Sequence, residues 1–133
     1  MHRIWFLIIT ALVEVGTGLS LLLQPSIPVL LLLGVSLAAP EPVVIARVAG
    51  AALLALGVAS FLVRNDQPGS TQWGVLIALL VYNIAVATLL AHAGIAFKFA
   101  GVALWPAVAL HALLAVWCAT CLYANPRAPI GDR

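Results

Sequence analysis

The sequence predicts an all-α fold, an integral membrane four-helix bundle, and three observations predict it. Hydrophobic residues fill 65% of the 133 positions. Charged residues fill only 8%, six Lys or Arg and four Asp or Glu. Four separate stretches are long enough and apolar enough to cross a bilayer. An average soluble domain is about half apolar and about a quarter charged, and a domain of this size leaves much of its surface in water. Ten charges cannot dress that surface. Disorder is excluded as well, because it needs low hydrophobicity and high charge. The length fits one transmembrane domain, residues 1–133.

A bilayer core of about 30 Å takes about 20 apolar residues in a helix. The first span covers about 4–23 and stops at Gln24-Pro25. The second covers about 43–63 and stops at Arg64-Asn65-Asp66. The third covers about 73–91, and the fourth about 99–123, stopped by Asn125-Pro126. All are rich in Leu, Ala and Val, without the period-2 alternation of barrel strands. Met1-His2-Arg3 followed by apolar residues also fits the start of a signal peptide. Glu14 inside the run and the lack of a small-residue cleavage site favour a retained helix. Between the first two spans, 27–37 is apolar but too short to span, and prolines bracket it. It reads as a short interfacial or re-entrant segment, or as a greasy loop packed on the bundle.

Four spans put both termini on one side. That side carries Arg3, Arg64, Arg127 and Arg133, and the other carries Arg47 and Lys98. The excess places both termini in the cytoplasm of a bacterial inner membrane. Trp5, Trp73 and Tyr123 then sit at the cytoplasmic interface.

An internal echo runs through the chain. Arg47-Val48-Ala49-Gly50-Ala51-Ala52-Leu53 opens the second span, and Lys98-Phe99-Ala100-Gly101-Val102-Ala103-Leu104 opens the fourth. Read as a duplication, it is a parallel two-helix repeat. Arg47 and Lys98 are then equivalent basic anchors. They either snorkel to headgroups or attract an anionic headgroup, with Glu41 as another partner for the pair.

An ionisable side chain deep in a bilayer costs at least about 2.5 kcal/mol unless it is paired or faces water. Glu14 lies nine residues after Trp5, Asn83 ten after Trp73 and His111 twelve before Tyr123. These spacings correspond to depths of about 14, 15 and 18 Å. Three polar groups on three helices thus fall near the midplane. Thr10 and Thr17 share a face with Glu14, and Tyr82 neighbours Asn83 but lies about 100° around the helix. Two readings stand: a site for a ligand, ion or proton, or a neutral hydrogen-bonded network that fixes helix packing.

Pro106, five residues before His111, reads as a kink that could open a cavity. His92 falls near the outer surface, too far from His111 for one haem to join the two within a protomer. A haem between two copies of His111 is the arrangement that spacing leaves. Cys118 and Cys121 form a C-x-x-C that could serve redox or metal chemistry or be two small buried hydrophobes. Four-helix thiol oxidoreductases of the vitamin K epoxide reductase type carry such a pair, but also shuttle cysteines that this chain lacks. Ala51, Ala55 and Ala59 read as a close-packing stripe. A net charge of +2 is too little for a nucleic-acid surface. No phosphate loop, nucleophile elbow or zinc-ligand set occurs. No catalytic residue, metal or resident cofactor is expected, quinone and haem being the groups left open.

Val13-Glu14-Val15-Gly16-Thr17 resembles the first-helix segment around the essential glutamate of small multidrug resistance transporters, which are four-helix dimers. More of the chain resembles the DoxX-like group of small bacterial four-helix membrane proteins. The carrying features are Gly18 to Pro25, Leu33-Gly34, Arg47-x-x-Gly50-x-x-Leu53, and Leu104-Trp105-Pro106 with His111. That resemblance implies a four-helix bundle, with quinone-linked chemistry in some members. The expectation is a non-enzymatic protein, either binding a lipid or quinone beside Glu14, Asn83 and His111 or serving as an accessory subunit. A proton-coupled transporter working as a dimer and a purely structural subunit of a larger complex are the alternatives. Membrane lipids and a homo-oligomer or larger membrane complex are the expected partners.

Overall fold

The computed structural model describes residues 2–67 and 69–124. Among them are five α-helices and one 3-10 turn: α1 (His2–Leu23), α2 (Ser26–Leu33), α3 (Pro40–Leu62), the turn Val63–Asn65, α4 (Ser70–Ala96) and α5 (Leu104–Tyr123). Four of these helices are long and apolar enough to cross a membrane. The fold is an all-α bundle, and its long apolar helices mark a multi-pass membrane protein. The expected stop at Asn125-Pro126, and Arg127 and Arg133 in the charge count, lie outside the described residues.

The bundle is two helix pairs, α1 on α3 and α4 on α5. The first pair meets at glycine. A Cβ on Gly18 would stand 2.7 Å from the Gly50 carbonyl oxygen and from the Leu54 nitrogen, and one on Gly57 2.8 Å from Val15 Cγ2. Such close approach is how helices associate in lipid, where no hydrophobic force drives them together. The alanine stripe does not fill this role. Ala51 and Ala55 are exposed, because Gly50 and Gly57 already turn the opposite face of α3 onto α1.

Larger side chains fill the space between the pairs. Phe6, Leu7, Leu76, Leu79, Leu114 and Cys118 form the buried core, and the Phe6 ring meets Trp117 edge-on at 5.6 Å. At the end of the bundle shared by the described termini, the Gln72 amide donates to the Val63 carbonyl at 2.9 Å. That bond satisfies a carbonyl left over where α3 runs out. Arg64 donates to the Phe61 carbonyl at 2.5 Å and lies 3.5 Å over the Phe61 ring, a cation–π contact.

The other end differs from the sequence reading in two ways. First, α4 continues to Ala96 and α5 starts only at Leu104, so residues 97–103 form the turn and 92–96 stay helical. Gly94 sits inside α4 because the side chains of Leu104 and Trp105 cover it. The turn contains Lys98 at φ 58°, a left-handed conformation uncommon outside glycine. The two halves of the echo therefore differ in local structure: Arg47 to Leu53 is helix interior, whereas Lys98 to Ala103 is turn. Arg47 and Lys98 are not equivalent anchors. Arg47 also lies six residues after Glu41 in one helix, about 9 Å along and on a different face, so the two do not pair. Second, Pro106 falls in the first turn of α5, where no backbone donor is needed, and produces no mid-helix kink. The short apolar segment between the first two spans is helical, as the sequence reading has it: α2 has eight residues and is capped by Gly34 at φ 73°. The Ala103 N–H donates to the Leu31 carbonyl at 2.8 Å, which fastens α2 to the α4–α5 turn.

Candidate functional site

Glu14 lies near the middle of α1, Asn83 at the centre of α4, and His111 seven residues into α5. All three side chains are buried, Glu14 and Asn83 to within 1% of complete. Asn83 and His111 sit on helices that are apolar nearly all round, so there the polar side chains, rather than an apolar stripe, mark the inward face.

The contacts run as a chain. The Tyr82 hydroxyl donates to Glu14 Oε2 at 3.0 Å. The Tyr82 ring stands edge-on to the His111 imidazole, with centroids 5.6 Å apart at 82°. His111 Nδ1 lies 2.9 Å from Asn83 Oδ1. The Asn83 amide nitrogen donates to the Leu79 carbonyl at 2.8 Å, so its oxygen faces the imidazole as an acceptor. With the amide so oriented, His111 Nδ1 is the donor in this bond.

The structure thus brings Glu14 to Tyr82 and Asn83 to His111, with the tyrosine ring joining the two pairs. Tyr82 reaches Glu14 although it lies a third of a turn from Asn83, because the two neighbours address different helices. Thr10 is fully buried one turn before Glu14, and Thr17 is part-buried. Two buried oxygens here, Thr10 Oγ1 and Glu14 Oε1, have no hydrogen-bond partner among the described residues. Buried polar atoms in native structures nearly always have one.

The remaining candidates lie elsewhere. Arg47 is exposed in the third turn of α3, and Lys98 is exposed in the 97–103 turn. His92 is exposed, with its ring 5.4 Å from that of Phe97. Cys118 and Cys121 are buried and not in a disulfide, and the Cys118 thiol donates to the Leu76 carbonyl at 3.1 Å. Among the described residues no group of three or more His, Cys, Asp or Glu is placed to hold a metal ion. Sequence reasoning passed over Gln72 and Ser60, both buried. Gln72 is signalled only by its place at the start of a helix otherwise apolar on that face.

Comparison with known proteins gives no matching family model, no matching curated protein and no matching solved structure.

Proposed function

We propose that this chain binds a small amphipathic molecule, a lipid or a quinone, whose polar head reaches Thr10 and Glu14 near the middle of the membrane. One observation carries the reading: a threonine hydroxyl and a carboxyl oxygen, one helical turn apart, are buried without partners among the described residues. A head that offers an acceptor to Thr10 and a donor to Glu14 Oε1 suits both. A diacylglycerol, with an ester carbonyl and a hydroxyl, fits this description, and so does a quinol. Tyr82 holds the second carboxyl oxygen and fixes its direction.

A second reading has its own support. The Asn83–His111 bond is closed and buried, which suits a network that fixes α4 against α5. In our reading that bond is the scaffold, and Thr10 with Glu14 is the site. On the charge of Arg3 and Arg64 we place both termini in the cytoplasm of a bacterial inner membrane.

The test uses purified protein in detergent micelles and two probes, decylubiquinol and dioleoylglycerol. At least one should raise the Tm of the wild type, and the rise should vanish in a T10V/E14Q double variant, whose introduced amide oxygen still accepts from Tyr82. Equal response of wild type and variant to both probes overturns the reading.

A further inference from the structure

A half-open cavity of about 540 Å³ lies at the end of the bundle where α1 begins and α5 ends, opposite α2 and the 97–103 turn. His2, Arg3 and Ile4 line it from α1, and Trp117, Thr120 and Cys121 from α5. No acidic side chain is among these residues. Arg3 is part-buried, and its Nε is enclosed without a hydrogen-bond partner among the described residues. A guanidinium is five donors with no acceptor, so the enclosed Nε needs an anion or carbonyl against it. The helix itself adds to this demand. The first N–H groups of a helix have no acceptor within it, and α1 starts on the wall of the cavity with the positive end of its dipole. Thr120 adds no donor, because its hydroxyl is already given to the Trp117 carbonyl at 2.7 Å. Trp117 contributes a flat apolar wall, held edge-on by Phe6.

Position narrows the occupant. Helix ends of a spanning bundle lie at headgroup level, where aromatic rings gather. A cationic, partly apolar cavity at that level fits a phosphate attached to something greasy. We propose that this cavity is a phosphate site in which Arg3 is the principal ligand. It is distinct from Thr10 and Glu14, which lie deeper in the bilayer and are not among its lining residues.

The experiment measures Tm in detergent micelles against three probes: dihexanoyl phosphatidylglycerol, dihexanoyl phosphatidylcholine and inorganic phosphate. Phosphatidylglycerol should stabilise the wild type more than the zwitterionic lipid does. Arg3→Gln should weaken that response about tenfold, the size expected for loss of a charged hydrogen bond. Arg47→Gln, at an exposed cation on the third turn of α3, should leave it unchanged. A response to inorganic phosphate alone, lost equally in Arg3→Gln, assigns a free phosphate. A response confined to the anionic lipid assigns a headgroup. No response to phosphatidylglycerol or to inorganic phosphate, or equal losses in Arg3→Gln and Arg47→Gln, overturns the proposal.

A second readout does not depend on how Arg3→Gln folds. In a Cys118→Ala chain the remaining thiol, Cys121, lines the cavity. The effective phosphate probe should slow its alkylation by N-ethylmaleimide at least severalfold. An unchanged rate under saturating probe also overturns the proposal.

Discussion

Replacing Gly50 by alanine tests whether backbone contact holds α1 to α3. The added methyl would sit 2.8 Å from the Gly18 carbonyl oxygen and 2.9 Å from the Leu22 nitrogen. Both obstacles are main chain, so no side chain can swing aside. Ordinary contact begins at 3.4 Å, and the helices must part by about half an ångström to restore it. A gap of that size forfeits roughly a quarter of the dispersion energy of each contact it opens, and overpacking of this kind costs about 1–3 kcal/mol. Alanine returns up to about 1 kcal/mol through helix propensity. The expected net loss is about 1–2 kcal/mol. Gly16 supplies the control: it lies in the same helix pair, and a Cβ there meets nothing within 4 Å. Gly16→Ala should be neutral or stabilising by up to about 1 kcal/mol. Unfolding in mixed micelles under rising dodecyl sulfate, followed by helicity, compares the two. Equal shifts of the same sign would refute the backbone-contact account.

Two further substitutions probe the polar chain and the clasp between α2 and the 97–103 turn. Tyr82→Phe removes the donor to Glu14 Oε2 and should lower stability by about 0.6–2 kcal/mol, the range for side-chain hydrogen bonds between helices in membranes; unchanged unfolding would show that the bond contributes nothing. Gly101→Ala would drive a methyl into the Leu31–Leu32 backbone, so hydrogen exchange of the 29–34 amides should quicken in the variant, and unaltered exchange would count against the clasp.

The sequence announced the four long apolar helices because length and composition alone set them, and it announced that Glu14, Asn83 and His111 fall near the middle of theirs because the helical rise is fixed. It did not reveal azimuth. Tyr82 and Asn83 are neighbours in the chain, and only packing decides that one meets α1 and the other α5. Helices that are apolar on every side carry no stripe from which to read rotation. The α4–α5 turn was misplaced for a related reason. Residues 91–103 are mostly small or apolar, Gly94 looks like a breaker, and the bond that fixes the turn comes from Leu31, more than sixty residues upstream. Ala51, Ala55 and Ala59 have the spacing of a packing stripe, yet Gly50 and Gly57 allow nearer approach and take the contact. Arg3 was counted only as a topological charge, since nothing nearby in sequence marks it as facing Trp117 and Cys121.

The two helix pairs are joined unequally along their length. At the end that carries α2 and the 97–103 turn, a main-chain bond from Ala103 to Leu31 ties one pair to the segment that leaves the other, whereas farther along the pairs meet through side chains. The ligand proposed above would have to part the two pairs, not α1 from α3. Such a parting would open the halves like covers hinged at the end that the Ala103–Leu31 bond holds.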